Sequence, residues 1–338
     1  MKTKIGLLLL AFLSVAGWMH AQIPQVSPLT QKEVVDMLKG KGGLEQTAAE
    51  INQRGVDFEL TPEIEKKLRK AKADDAFIAL VKNSSPQARA SRAGAAIPSA
   101  AENQAFRSLQ NELVPEKTIQ LVEEFVKTYS KSTYLSYVYM FAANALEQKR
   151  ELSQALNYLD KSLEANPDNT LSLVMKATLL SQPAMLKGGD DFKMKRLADA
   201  EETANKALKL VNDLPKNAHE TDESLAKRKA KLASGAHSAL GLKHLQRATM
   251  DLQGADKAEL ATAEQEYRTA VTSVDDPTPQ DYYRLGETLA IENKLPQALA
   301  AFGKSSELGA GSVLKSYADQ QIDDIKKKNP QVQPAPQP

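Results

Sequence analysis

The sequence predicts an all-α protein of antiparallel helix pairs stacked as a solenoid, with a smaller helical module in front. Three observations carry that prediction. The 338 residues include 47 alanines, about a third of the apolar share, against only 5% aromatic residues. Ala has the highest helix propensity and lets helices approach closely. From about residue 105 onward, apolar residues recur at helical spacing. Finally, Ala155, Ala200, Ala263 and Ala298 take corresponding places in successive helix pairs, 45, 63 and 35 residues apart, a repeat whose last spacing approaches the ideal period and whose two middle copies are extended.

Composition also excludes several classes. Lys and Arg number 44 against 43 Asp and Glu, so the basic footprint of general nucleic-acid binding is missing. With no cysteine there are no disulfides, thiolate metal sites, cysteine nucleophiles or lipid-modified N-terminal cysteine, and stability must come from packing. At the start, Lys2 and Lys4 precede an apolar run from Ile5 to Trp18, then Met19-His20-Ala21-Gln22. This is the pattern of a secretory signal peptide over 1–21, cut after Ala21 or alternatively after Ala16. The run is shorter than the roughly 20 residues that span a bilayer. The expected mature chain is exported, periplasmic or secreted, without an integral membrane segment, and carries 42 basic and 43 acidic residues.

Residues 29–83 contain an internal duplication at an offset of 31: Leu29-Thr30 matches Leu60-Thr61, Met37 matches Leu68, Lys39 matches Lys70, and Ala48 matches Ala79. Thr30 and Thr61 are N-caps, with Glu33 completing a capping box and Pro62 at a first helical position. Each copy reads as two short helices, near 31–39 and 44–54, then 62–71 and 74–82, with Gly40, Gly42 and Gly43 interrupting the first pair. Val56 to Leu60 alternates apolar and polar residues and reads as an extended connector. The module resembles a small helical domain near the N-terminus of some exported bacterial proteins, a resemblance that implies no activity. It is either a docking domain or a packing unit with charged outer faces. Residues 84–104, dense in Ser, Ala and Pro, read as a flexible linker carrying Arg89 and Arg92.

The repeat domain is expected over 105–328. A preceding half-repeat occupies 105–130, with Pro115 opening its second helix. Residues 136–169 form a full pair: Tyr139, Ala142-Ala143 and Leu146 on the first helix, then Leu152, Ala155, Leu159 and Ser162, closed by Pro167. A looser pair uses Leu173, Ala177 and Leu180, then Ala200, Ala204 and Ala207, with an insertion at 181–192. Its Gly188-Gly189 and Asp190-Asp191 read as slack or as a loop over a groove. The next pair spans 222–250 and 256–273, with Ala263, Tyr267 and Ala270. The last, 279–312, carries Tyr282, Leu285-Gly286, Leu289, Ala298, Phe302 and Ser305. A capping helix follows at 312–328. The tail, 329–338, has four prolines in ten residues and reads as extended and disordered.

These helix pairs resemble the tetratricopeptide repeat, a helix–turn–helix unit of about 34 residues, over most of the second half of the chain. The resemblance implies a right-handed superhelix whose first helices line a concave groove. Beside the signature positions it places Tyr137, Met140 and Asn144; Leu171, Val174 and Thr178; Ser238 and Leu242; and Gln280, Tyr283 and Glu287. These groups suit an extended or helical peptide held by apolar contact and amide hydrogen bonds. Met140 stands where a carboxylate-clamping lysine would help, so that family mode is not expected.

Catalytic signals are weak. His237, His244 and Asp251 are seven apart and share a helical face, a candidate metal site. The two histidines also sit where the repeat has large core side chains, the preferred reading, and His219 stands apart. Asp190-Asp191, Asp275-Asp276 and Asp323-Asp324 are adjacent pairs that diverge on a helix. No phosphate-cradling glycine motif or nucleophile elbow is present. The expectation is therefore a non-catalytic exported scaffold or adaptor without cofactor or metal. It would bind another protein or peptide, not nucleic acid, in cell-envelope assembly. The alternative is a periplasmic binding protein enclosing a small apolar ligand within the superhelix.

Overall fold

The computed structural model describes residues 28–40, 43–88, 98–214, 216, 220–250 and 254–336. The leader at 1–21, Gly42, the linker arginines Arg89 and Arg92, and His219 and Asp251 lie outside them. The described residues form fifteen α-helices and one short 3-10 turn, and their single β pairing is an isolated bridge. The fold is all-α, made of helix hairpins. It divides into two compact units, one running to Pro167 and including 215–225, the other comprising 168–214 and 226–338.

The first unit opens with four helices. α1 (Gln31–Lys39) starts at a complete capping box: the Thr30 hydroxyl accepts from Glu33 N–H at 3.2 Å, and Glu33 Oε2 accepts from Thr30 N–H at 2.7 Å. α2 (Gly43–Arg54) begins on Gly43, whose φ of +55° suits a glycine. α3 (Pro62–Lys70) is capped by Thr61, and α4 (Asp75–Asn83) by Asp74, which accepts from Phe77 N–H at 2.7 Å. Their inward faces meet in one core around Val34, Leu38, Ile51, Leu68, Phe77 and Val81. The alternating stretch after Gly55 carries a one-residue parallel bridge, Val56 to Leu29. Leu29 N–H donates to Gly55 O at 3.0 Å, and Val56 N–H to Ser84 O at 3.1 Å. These bonds draw the start, middle and end of the four-helix module together.

The linker expected to reach 104 ends earlier. α5 (Ala100–Asn111) starts at Ser99, whose hydroxyl accepts from Glu102 N–H at 3.1 Å while Glu102 accepts from Ser99 N–H at 3.3 Å. This second capping box nucleates a helix where composition suggested slack. α6 (Pro115–Thr128) opens on Pro115, and α7 (Leu135–Gln148) and α8 (Leu152–Ala165) form the next hairpin. Phe106 of α5 stacks on Tyr134 at 4.2 Å between ring centroids, and the Tyr134 hydroxyl donates to Asn103 Oδ1 at 2.5 Å.

In the second unit the helices are α9 (Thr170–Leu180), α10 (Asp190–Asn212), α11 (Asp222–Ala248, shared at its start with the first unit), α12 (Lys257–Thr272), α13 (Pro279–Ile291), α14 (Leu295–Leu308) and α15 (Val313–Lys328). Two crossings put a small residue against a large one. A Cβ built on Gly241 would stand 3.0 Å from the Tyr267 ring, and one on Gly286 would stand 2.8 Å from Phe302. A polar tie recurs at one place in three hairpins. Ser136 donates to Ser162 O at 2.9 Å, Ser234 to Ala270 O at 2.8 Å, and Ser305 to Pro279 O at 2.7 Å. Each reaches the last turns of the second helix, from the start of the first helix at Ser136 and Pro279 and from midway along the longer α11 at Ser234, fixing where the two helices sit along one another.

Two expectations for this unit are corrected. The segment 181–192 is packed over 181–186, while 187–192 is exposed. Ser181 and Gln182 are buried, a 3-10 turn at Pro183–Met185 brings Met185 and Leu186 under cover, and α10 already begins at Asp190. Apolar residues inside the insertion supply that burial. The tail is not loose along its described length either. Val332 packs against the core under α13–α15, and Ala335 N–H donates to Pro296 O at 2.9 Å. Proline favours the extended backbone that lets this strand-like run lie along α14. No helix among the described residues is long and apolar enough to cross a membrane.

Candidate partner-binding surface

In the first unit, Tyr137 and Asn144 are half-buried on α7, while Met140 between them is completely buried. Residues seven apart share a helical face, so the two lie on one stripe, while Met140, expected in the groove, is out of a partner's reach. Nearby on α7 and α8, Tyr139 and Tyr158 are half-buried with rings 6.1 Å apart, and the Lys161 ammonium lies 4.8 Å from the Tyr158 ring centre. Burial, with Glu123 nearby, pushes the Tyr158 phenol up.

The second unit treats its eight proposed groove residues unevenly. Leu171, Leu242 and Tyr283 are buried, with Tyr283 at 0% exposure. Tyr283 packs edge-on against Phe302, centroids 5.4 Å apart, and α15 brings Tyr317 and Gln321 beside it. The capping helix thus covers the face that a peptide would need at this repeat. Burial raises the Tyr283 phenol far above its ordinary value. Val174, Thr178, Ser238, Gln280 and Glu287 remain half-buried.

Ser238 and Glu287 belong to a buried polar belt that was not visible in the sequence. The Ser238 hydroxyl of α11 donates to one oxygen of Asp281, and the Thr278 hydroxyl donates to the other at 2.7 Å. Burial pushes the Asp281 carboxyl up, and these two donors oppose it. One turn on, Arg284 donates to Glu287 at 2.6 Å. Burial pushes Glu287 up against the pull of Arg284; burial pulls Arg284 down, but Glu287 more than restores it. The Tyr267 hydroxyl of α12 is buried among these charges, and desolvation raises it well above its usual range. Ser238 and Asp281 tie α11 to α13 and Arg284 pairs with Glu287 within α13, while the Tyr267 hydroxyl finds no hydrogen-bond partner among the described residues; the belt is a device of packing.

The histidines differ from the core-filling reading. His237 Nδ1 lies 2.7 Å from Glu266 Oε2 and His244 Nδ1 2.6 Å from Glu259 Oε2, each partly exposed on the flank of α11 and α12. Carboxylates on the facing helix take the place of an apolar pocket. Among the described residues no three His, Cys, Asp or Glu side chains gather as a metal ligand set.

A basic concavity lies in the four-helix module. Gln31, Lys32, Val35, Asp36 and Lys39 of α1 face Lys67 and Lys70 of α3 around a cavity of about 390 Å³. A neighbouring one is lined by Pro62, Glu65, Lys66, Arg69 and Lys70. The sequence held one signal of this groove, the match of Lys39 to Lys70 at the 31-residue offset.

Paired helices, small-against-large crossings and serine ties together define a tetratricopeptide-like helical-repeat fold. No family model and no curated protein matches the chain. Solved structures similar to it include the yeast Tom70 crystal structure, with a TM-score of 0.36 and 13% identity over 89% of this chain and 58% of that one. The chain therefore spans under two thirds of that protein. Another is a tetratricopeptide repeat protein from Parabacteroides merdae, with a TM-score of 0.32 and 15% identity over 87% of this chain and 96% of that one.

Proposed function

We propose that this chain is an exported, non-catalytic helical-repeat scaffold that holds another protein and works in cell-envelope assembly. The observation that carries the reading is the stripe on α7, where half-buried Tyr137 and Asn144 flank buried Met140. An aromatic ring and a carboxamide on one helical face suit a peptide segment, whose backbone groups pair with the amide while side chains cover the ring. The leader pattern in residues 1–21 supports export.

The test is in-cell cross-linking of the intact chain, comparing wild type with Tyr137→Ala plus Asn144→Ala. Loss of a discrete cross-linked partner, with helicity unchanged, supports the reading; survival of every partner overturns it. Fractionation that leaves the processed chain in the cytoplasm overturns the export part. Tyr283 is unsuitable as a probe, because truncating a fully buried ring unpacks the last hairpin.

A further inference from the structure

We propose that the groove between α1 and α3 is a docking site for an acidic peptide segment of a partner protein. Residues 28–88 contain ten basic and ten acidic residues, so a basic surface here comes from segregation and not from composition. Five of the acidic groups are engaged elsewhere. Glu33 pairs with Arg107 at 3.0 Å, Glu50 with Arg54 at 2.9 Å, Glu65 and Asp75 with Arg69 at 2.8 Å each, and Asp74 caps α4. What faces the cavity is Lys32, Lys39, Lys67 and Lys70 against one carboxylate, Asp36.

Lysines in the last turn of a helix complement its own dipole, and Lys39, Lys67 and Lys70 occupy such turns. A dipole role needs each lysine only at its own helix end. It does not bring two such ends together around a cavity of about 390 Å³, a volume suited to a few residues of extended chain. Val35, half-buried, supplies an apolar floor for the stems of acidic side chains.

The lining also selects among anions. Single-stranded nucleic acid binds through stacked aromatics and arginine, and neither lines this cavity. The adjacent Arg69 is held by Glu65 and Asp75. Asp36 inside the groove repels a dense polyanion yet accepts a hydrogen bond from a peptide N–H. The site is independent of the α7 stripe, so either proposal can fail alone.

The experiment measures fluorescence anisotropy of a labelled Asp/Glu-rich peptide of about ten residues on the intact chain. A peptide with Asn and Gln in place of the acids, a single-stranded oligodeoxynucleotide and phosphatidylglycerol vesicles serve as comparisons. Wild type is expected to bind the acidic peptide best, with affinity falling steeply between about 0.05 and 0.5 M salt. Lys39→Glu plus Lys70→Glu weakens binding roughly tenfold or more, since like charges now face the peptide. Lys127→Glu plus Lys131→Glu changes net charge equally on exposed residues away from the groove and leaves binding within about twofold. Tyr137→Ala plus Asn144→Ala also leaves it unchanged. Absence of wild-type binding, equal losses in both lysine pairs, or preference for the oligonucleotide or vesicles overturns the proposal.

Discussion

Gly286 lies so close to Phe302 across the α13–α14 crossing that an added Cβ would stand 2.8 Å from the ring. Gly303, on α14, has nothing within 4 Å of its Cβ position. The same substitution should therefore have opposite signs at the two places. Gly286→Ala is expected to destabilise by about 1–3 kcal/mol, because a fully buried Phe302 cannot move aside. Gly303→Ala gains helix propensity and is expected to stabilise by about 0.5–1 kcal/mol. Urea unfolding of both variants checks this, and matching signs would refute the crossing geometry.

Asp281 gives stability a defined pH dependence. Its folded-state pKa is raised above 3.8 by burial, despite donors from Ser238 and Thr278. The folded chain thus retains a proton that the unfolded chain releases. Stability from this group is full below about pH 3.8 and falls as pH rises through the folded pKa. Asp281→Asn should flatten that component above about pH 3.8. Ser238→Ala leaves one carboxylate oxygen without its donor and should cost about 1–3 kcal/mol at neutral pH. Unfolding midpoints across pH test both, and an unchanged profile in Asp281→Asn rules the effect out.

Glu33 has the opposite sign. Burial pushes its carboxyl up, but hydrogen bonds from Arg107 and Thr30 outweigh that, so its pKa is lowered from 4.5. Its stabilisation is present above about pH 4.5 and is lost as pH falls through the lower folded value. Both partners are about one-third exposed, which limits the pair to under about 1 kcal/mol. In Arg107→Ala the Glu33 pKa should rise and the loss of stability should shrink in acid. A carboxyl titration by NMR that leaves Glu33 unmoved would exclude the contact in solution.

The tail contributes to the last hairpins. Truncation after Asn329 removes Val332 from the core under α13–α15 and the bond from Ala335 to Pro296. The expected cost is about 1–2 kcal/mol, together with faster hydrogen exchange in α14. Unchanged exchange and stability would show that the tail is not docked in solution.

Local signals were legible. Thr30 with Glu33, Thr61 with Pro62, and Pro115 mark helix starts that the structure reproduces, because capping acts within one turn. Ser99 with Glu102 is an equally local signal, obscured by the Ser- and Ala-rich stretch around it. The candidate surface was less legible. Tyr137 and Asn144 on α7, like the corresponding Gln280 and Glu287 on α13, stay half-buried, whereas Met140 and its counterpart Tyr283 are fully buried, Tyr283 with α15 beside it. Nothing near residue 283 in the sequence records that a later helix returns over it.

The sequence by itself determined the helices, their pairing and the small-against-large crossings, since each depends on spacing within one or two neighbouring helices. Only the tertiary structure decided which groove positions stay accessible, that Ser238 and Asp281 meet across α11 and α13, and that lysines 31 residues apart share one cavity. Burial and electrostatics depend on what lies above a side chain in space, and that neighbour belongs to another part of the chain.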